Sequence, residues 1–521
     1  MSSAHLTTFK VASDTVRYTP TAIESTYSYD TASVTTSKGA DGALHVTATP
    51  TKQQLHFRTQ TAVPKVGLMM VGWGGNNGST VTAAVLANSR NIAWTTKGGV
   101  QTPNYFGSIT QSSTMRIGHT HRGDEVFVPL KSVVPLVSPN DLVLGGWDCS
   151  NFNLAEAMKR GAVLDYDLQR QLVPLMEPMK PLPAIFDLDF IAANQDDRAN
   201  NVIPGTKAQA VEVVRGHIRD FKCAHSLDKI VVVWTANTER WSDVIPGIHD
   251  TADNLLAALA RGEKEIAPSA CYAMAAIQEG CAYINGAPQN TFVPGLVQLA
   301  ERHNVFIGGD DFKSGQTKMK SALVEFFVAA GIKPESIASY NHLGNNDGRN
   351  LASPKQFRSK EISKSGVVED MVASNSILYP DGKGPDHCIV IKYLPYVGDS
   401  KRALDEYIFS IFMGGQQCVV MHNTCEDSLL AAPLILDLCI LTELMQRVTI
   451  SQDGGHSYEH VRCVLSILSY LLKAPFVPAG TPIVNALGRQ KGCIENLLRA
   501  MVGLPAENHL LLESKLRVRK P

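Results

Sequence analysis

The sequence has no excess of either charge: 48 Lys and Arg against 49 Asp and Glu leave a formal net charge of −1 over 521 residues. It has no long basic stretch to neutralise phosphates in series, so no nucleic-acid partner is expected. The ten cysteines, at 149, 223, 271, 281, 388, 418, 425, 439, 463 and 493, form no Cys-x-x-Cys pair and no zinc-ligand spacing. Most read as small buried hydrophobes. The opening Met1-Ser2-Ser3-Ala4-His5-Leu6 has no apolar stretch of the secretory-signal kind, so the expected location is the reducing cytoplasm. The longest apolar tract, Leu429 to Met445, is broken by Pro433, Asp437 and Glu443. It is expected to be a buried helix, with no membrane partner. No internal repeat or low-complexity segment is present.

What remains is the composition of a globular enzyme, with a hydrophobic fraction of 44% and a charged fraction of 19%. The length calls for two or three domains. The most informative stretch is Gly72-Trp73-Gly74-Gly75-Asn76-Asn77-Gly78-Ser79-Thr80, after the apolar run Val66 to Val71 and before an expected helix, Val81 to Arg90. Strand, glycine turn and helix in that order suit a pyrophosphate: the turn lets backbone approach it, and the helix N-terminus attracts the anion. Ser79 and Thr80 would suit the helix start. The spacing is one residue longer than G-x-G-x-x-G, so an ordinary glycine-rich turn stays open. A dinucleotide site also asks for an acid at the end of the next strand. The next candidate, Asn91 to Lys97, ends without one, whereas Asp141 to Asp148 reads as a strand closing on Asp148. Asp148 is the expected ribose ligand; the alternative is a helix N-cap for Phe152 to Arg160.

Residues 1 to 60 read as an arm of Ser- and Thr-rich strands, such as Ala43 to Thr49. From Val66 on, strands at 66 to 71, 141 to 146, 229 to 234 and 304 to 308 alternate with helices such as 208 to 220 and 251 to 261. That alternation implies a parallel sheet. Strands ending in Thr235-Ala236-Asn237-Thr238 and in Gly309-Asp310-Asp311 would put those polar groups in the pocket, because ligands lie outside the carboxyl ends of such strands. A helix from Lys318 to Ala330, then strands at His387 to Tyr393 and Cys418 to His422, mark a second domain. After it the long apolar helix and a helix from Tyr458 to Leu472 return to the first. The expected fold is α/β: a doubly wound Rossmann-type domain at 61–314 with a return at 429–521, and an inserted α+β domain at 315–428.

Three polar clusters carry candidate chemistry. Asp311-Phe312-Lys313-Ser314-Gly315-Gln316-Thr317 can bind a phosphate through amides and hydroxyls, or simply cap a helix. Tyr340 to Gly348 offers amides and Asp347 to sugar hydroxyls, or forms tight turns. Lys355 to Lys364 places Lys360 and Lys364 four apart on one helical face, where they repel unless an anion lies between them; Gly398-Asp399-Ser400-Lys401 joins them later. The alternative is a solvated basic surface.

Together Gly72 to Thr80, Asn341 to Gly348, Phe357 to Lys364, Gly398 to Lys401 and Asn423 to Ser428 resemble the eukaryotic inositol-3-phosphate synthases, also called myo-inositol-1-phosphate synthases, from about residue 10 to the C-terminus. The resemblance implies an NAD-dependent isomerase that turns D-glucose 6-phosphate into 1D-myo-inositol 3-phosphate. In it C5 is oxidised, an enolate closes on C1, and C5 is reduced again, so NAD is recycled. It implies cofactor contacts from Gly72, Gly74, Gly75, Asn76, Asn77, Gly78, Asp148, Arg198, Thr235, Ala236, Asn237, Thr238, Gly309 and Asp399. Substrate contacts fall on Ser314, Gly315, Gln316, Thr317, Asn341, Leu343, Asn345, Asp347, Lys364 and Lys401, with the phosphate on Ser314 to Thr317, Lys364 and Lys401. Lys360 would exchange the proton on the C5 oxygen, with Asp311, Asn345 and Asp427 as positioning or relay groups. A homotetramer assembled through the inserted sheet is implied as well, and a monovalent or divalent cation requirement is left open.

One departure bears on catalysis. The resemblance implies a late catalytic lysine in Asn-x-Leu-x-Lys-Gln-Arg, where this chain has Asn485-Ala486-Leu487-Gly488-Arg489-Gln490-Lys491. Either Arg489 acts by charge alone, since a guanidinium does not readily give up a proton at neutral pH, or Lys491 reaches the C1 oxygen. The rival readings are a sugar-phosphate dehydrogenase with net NADH release and a non-catalytic NAD-dependent sensor.

Overall fold

The computed structural model describes residues 9–516. Its centre is a six-stranded sheet: β1 (Val66–Val71), β2 (Val143–Asp148), β3 (Leu182–Pro183), β4 (Lys229–Trp234), β5 (Ala282–Asn285) and β6 (Ile307–Gly308). Every pairing is parallel and the order is 3-2-1-4-5-6. That is the doubly wound Rossmann order, and it reverses between β1 and β4. All six residues of β1 are buried, as a continuous apolar run requires when both faces of a sheet are covered.

Seven helices matter for the site: α1 (Asn76–Ser89), α2 (Lys207–Ala224), α3 (Pro268–Gln278), α4 (Gly315–Ala329), α5 (Pro354–Ser365), α6 (Asp427–Met445) and α7 (Leu487–Met501). Side chains alternate along a strand, so Leu68 and Met70 pack with α1 and α6. Met69 and Val71 pack on the other face with α2 and α3. Helix α6 is the apolar tract singled out in the sequence, and it is sunk in this core. Its Asp437 accepts hydrogen bonds from Ser108 Oγ (2.6 Å), Ile109 N (2.8 Å), Thr110 N (3.1 Å) and Thr110 Oγ1 (2.6 Å), which offset the cost of burying the charge.

The second sheet comprises β7 (Lys333–Leu343), β8 (Asp386–Tyr393), β9 (Ser400–Ser410) and β10 (Gln416–Glu426) in the order 8-7-9-10, with only β7 and β8 parallel. Ile337, Tyr407 and Phe409 pack under Val324, Phe327 and Val328 of α4. The opposite face leaves Tyr340, Leu404 and Val420 exposed. The arm is an antiparallel hairpin of Ala22–Lys38 and Leu44–Gln60; its base buries Ile23, Tyr27 and Phe57 and pairs with Val448–Ser451, while its outer half is exposed.

Three sequence expectations need correction. Helix α1 starts at Asn76, five residues before Val81, with Gly75 as N-cap; Ser79 and Thr80 are buried inside it. Asn91 to Lys97 yields only Trp94–Thr96, paired with Gly99–Gln101 outside the parallel sheet. Tyr458 to Leu472 is not a helix. Ile307 N donates to Cys463 O (2.8 Å) and Leu465 N to Ile307 O (2.9 Å), so the open edge at β6 takes this backbone as an extended neighbour, and only Ser466–Leu471 forms a 3-10 turn.

Candidate active site

The glycine turn lies where the strand order reverses. Gly72 N and Trp73 N both donate to Trp147 O, at 2.8 and 2.9 Å, which pins the turn against the end of β2. Gly72 has φ +91°, and a Cβ there would lie 2.7 Å from Ala236 Cα. Only glycine lets the ends of β1 and β4 meet this closely. A Cβ on Gly78 would lie 2.3 Å from Trp73 O, which fixes the angle at which α1 leaves the turn. The first turn of α1 then presents amide N–H groups without intrahelical partners at its positive end.

Asp148 closes β2 and is buried; its Oδ1 accepts from Ser150 N at 2.9 Å. It does not cap the following helix, Leu154–Gly161, where Asn153 forms a capping box with Glu156. Arg160 Nη2 donates to Gly74 O at 2.9 Å, and its Nη1 is buried without a partner among the described residues. A turn that a side chain would fill, a helix N-terminus, a buried acid and an orphaned guanidinium nitrogen together fit a dinucleotide.

Facing this crevice is a cluster of buried lysines and carboxylates. Pro354 opens α5, and Lys360 and Lys364 project from one face of it. Lys360 Nζ donates to Asp311 Oδ1 at 2.8 Å, Ser363 Oγ to Asp311 Oδ2 at 2.7 Å, and Lys473 Nζ to Asp311 Oδ1 at 3.4 Å. Lys401 pairs with Asp427 at 3.5 Å. Among the described residues Lys364 has Asn341 Oδ1, at 3.2 Å, and no carboxylate within ion-pair distance. The protonation states follow from these contacts. Burial pushes Lys473 down to about 7, and the charge of Asp311 offsets this only in part. For Lys360 burial also acts downward, but the charges of Asp311 and Asp347 outweigh it and hold the pKa above its ordinary value. Lys364 falls well below its ordinary value, through burial and then the like charges of Lys401 and Lys473. Burial acts upward on Asp311 and Asp427, yet the lysines hold both carboxyls below their usual range.

One cavity, about 1490 Å³ and open to solvent, joins the two halves. Of the cofactor residues read from sequence, it is lined by Gly72, Gly75, Asn76, Asn77, Asp148, Arg198, Thr235, Ala236, Asn237 and Thr238. Ser314, Asn341, Leu343, Asn345, Asp347, Lys360, Lys364, Lys401, Asp311 and Asp427 line it as well. Other expected residues stand behind the wall. Gly74 lies under Asp148, and Gly78 is buried against Trp73. Gly309 packs against Phe292 and Asn285. Asp399 stands behind three lining residues: it accepts from Asn76 Nδ2 at 3.1 Å, from Asn345 Nδ2 at 3.4 Å and from Ser428 N at 2.8 Å. Gly315 begins α4 with Ser314 as N-cap. Gln316 donates away from the cavity to Asp405, and Thr317 is buried.

Arg489 and Lys491 are not in the site. Both sit on α7 outside the cavity wall, Arg489 exposed and Lys491 paired with Glu495 at 2.7 Å. The late lysine that lines the cavity is Lys473, which sequence reasoning missed. Its one signal was a lysine interrupting an apolar run before a proline, in Leu471-Leu472-Lys473-Ala474-Pro475.

A dinucleotide crevice closed by lysines, one of them lacking a carboxylate partner among the described residues, defines a nucleotide-dependent enzyme acting on an anionic substrate. A family model for NAD-binding myo-inositol-1-phosphate synthase matches residues 66–499. The chain is 61% identical over 513 residues to an inositol-3-phosphate synthase of Trypanosoma brucei brucei, covering 96% of each chain. It is 60% identical over 507 residues to one of Oryza sativa subsp. japonica, covering 97% of this chain and 99% of the relative. The crystal structure of an inositol-3-phosphate synthase from Caenorhabditis elegans superposes with a TM-score of 0.94 at 53% identity, over 99% of this chain and 100% of that one. The chain belongs to the myo-inositol-1-phosphate synthase family.

Proposed function

We propose that the chain converts D-glucose 6-phosphate to 1D-myo-inositol 3-phosphate, an isomerisation without net redox change. The observation that carries this reading is the convergence of Lys360, Lys364, Lys401 and Lys473 with Asp311 and Asp427 against the glycine-turn crevice. Bound NAD supplies a reversible hydride acceptor for the sugar C5, and the glycine turn, Asp148, Thr235 and Ala236 would hold it. Lys364, Lys401 and the N-terminus of α4 at Ser314 bind the substrate phosphate, whose negative charge offsets the burial and like charges that disfavour the Lys364 ammonium. Lys473, half-protonated near pH 7, accepts the C5 hydroxyl proton and later returns it. Lys360 stays charged on Asp311 and donates to the same oxygen, so the enolate and alkoxide that form during ring closure meet fixed positive charge. Asp347 takes Thr238 N at 2.9 Å and so holds the end of β4 against the substrate sheet.

The test is a purified assay with glucose 6-phosphate and NAD. Inositol phosphate should accumulate while NADH absorbance stays flat; sustained NADH growth would mean the dehydrogenase reading, and no product would mean the sensor.

A homotetramer and a cytoplasmic location belong to the same proposal. The open edge of β10 and the exposed side chains of Tyr340, Leu404 and Val420 support assembly through the inserted sheet, and light scattering that returns a monomer would refute it. Ten free cysteines support a reducing compartment, and fluorescence microscopy of a tagged chain would test it.

A further inference from the structure

Lys313 lies between two residues of the site, yet its side chain runs away from the cavity. On one side of it is Asp311, which holds Lys360 and Lys473; on the other is Ser314, the N-cap of α4. Its ammonium is fully buried and ends on two neutral acceptors, Asn485 O at 3.1 Å and Gln490 Oε1 at 2.9 Å. Both acceptors belong to Asn485 to Lys491, the segment whose Arg489 and Lys491 stand outside the cavity.

The same segment is tied on its other side to α5. The short helix Glu369–Ala373 follows α5 through the 3-10 turn Gly366–Val368. Its Asp370 Oδ2 accepts from Asn485 N at 2.9 Å and from Ala486 N at 3.1 Å, and Asn485 Nδ2 reaches Gly366 O at 3.4 Å. Gln490 Nε2 donates to Val484 O at 2.6 Å, which closes the segment on itself. One bracket thus grips the turn that carries Asp311, through Lys313, and the helix that carries Lys360, through Asp370.

We propose that Lys313 and Gln490 are positioning residues that set Asp311 against Lys360, so that this late segment serves the reaction through its buried glutamine. An ammonium buried on neutral acceptors is costly, and an apolar chain of similar length would fill the space at lower cost. What the ammonium adds is direction, since its two hydrogen bonds fix the turn where packing alone would let it slide. Asp311 has φ +62°, a conformation that a residue other than glycine keeps where its surroundings hold it. Titration of Lys313 does not open the bracket, because a neutral amine still has two N–H groups for its two acceptors.

The inference deepens the proposed reaction and rests on it, and hydrogen exchange tests it without substrate. Gln490→Ala should lower kcat by about 10- to 10²-fold, the scale of a small misplacement remote from the chemistry, whereas Arg489→Ala on the outward face should not. Burial sets Lys473 low, Asp311 and Asp427 act upward on it, and Lys360 and Lys401 act downward. With Asp311 displaced, the activity limb near 7 should move to lower pH, a shift that a purely structural glutamine would not produce. Exchange should quicken at the amides of Asp311, Phe312 and Lys313, which donate to Ala287 O, Gly286 O and Leu471 O. Gln490→Glu keeps an oxygen on Lys313 and should restore most of the turnover lost in Gln490→Ala. Unaltered kcat in Gln490→Ala overturns the proposal, as does a loss of kcat with the limb and the exchange unmoved. If Gln490→Ala fails to fold, Lys313→Met, which keeps the length and removes both hydrogen bonds, is measured in its place. A folded Lys313→Met chain with lowered kcat and quickened exchange supports the proposal, and one with neither overturns it. If the unaltered chain makes no inositol phosphate, the proposed reaction falls, and the exchange rates alone then decide: quickened amides at 311–313 keep the bracket and unmoved ones reject it.

Discussion

Lys473 and Lys360 share a single carboxylate oxygen, Asp311 Oδ1, at 3.4 and 2.8 Å. One anion cannot fully stabilise two buried cations. The closer lysine keeps its proton and the other is pushed to about 7. The site therefore holds a charged donor and a titrating base side by side, as a step that removes and later restores a hydroxyl proton needs.

Activity should rise with pH through a limb near 7, as Lys473 loses its proton. Lys473→Arg keeps the charge but cannot deprotonate, and is expected to cost about 10²- to 10⁴-fold in kcat. A pH–rate profile of the unaltered chain that is flat between pH 6 and 8, roughly the window set by the shifted lysine, would refute this role. Stability carries the same sign. The fold disfavours charged Lys473, so between about 7 and the ordinary lysine value near 10.4 the unfolded chain holds more protons, and this group adds stability as pH rises.

Lys360→Met should remove activity and destabilise the chain. Asp311 is 2% exposed, and removing its nearest cation leaves a buried charge with Lys473 alone. Breaking such a pair costs about 3–5 kcal/mol, and the remaining lysine argues for the lower end. Thermal unfolding with and without a second change, Asp311→Asn, measures the coupling; additive effects would show that the pair is not one unit.

Arg489→Ala and Lys491→Ala should each leave turnover within about twofold and stability within about 0.5 kcal/mol, as for surface positions. Lys491 makes only a helical pair with Glu495, half in solvent. A large loss of kcat in either variant would return catalysis to α7.

Gly72→Ala forces a Cβ to within 2.7 Å of Ala236 Cα at φ +91°. The expected result is an NAD affinity lowered about tenfold or more and a stability loss of about 1–3 kcal/mol. Calorimetric titration and thermal unfolding read the two separately; unchanged affinity would mean the turn does not seat the cofactor.

The sequence made the central strands legible because a buried parallel strand is a plain apolar run: Val66–Val71 and Lys229–Trp234 fall where expected. The shared face of Lys360 and Lys364 was equally readable, being a matter of helical spacing. Lys473 was not. It follows a segment whose apolar pattern suits a helix, and backbone hydrogen bonds with distant partners, Ile450, Ile307 and Lys313, hold that segment out of one. Arg489 misled for the opposite reason: a motif resemblance locates residues along the chain, whereas the α7 face that carries it turns outward. The second anchor of the glycine turn, Asp399, lies 323 residues from Asn76, beyond any local pattern.

Helix α6 starts at Asp427 on the cavity wall and buries Ile435, Leu438 and Leu444 beside Val81 and Val85 of α1. The order of synthesis therefore runs against the order of packing. Strand β1 and helix α1 leave the ribosome just after the hairpin arm, yet the helix that covers them follows some 350 residues later. The extended segment around Val464 that finishes the β6 edge comes later still. Until then the nascent chain carries an apolar face with nothing to cover it, the kind of surface that chaperones bind. This nucleotide fold is closed by its tail, and a message truncated before residue 445 would yield a chain with its core still open.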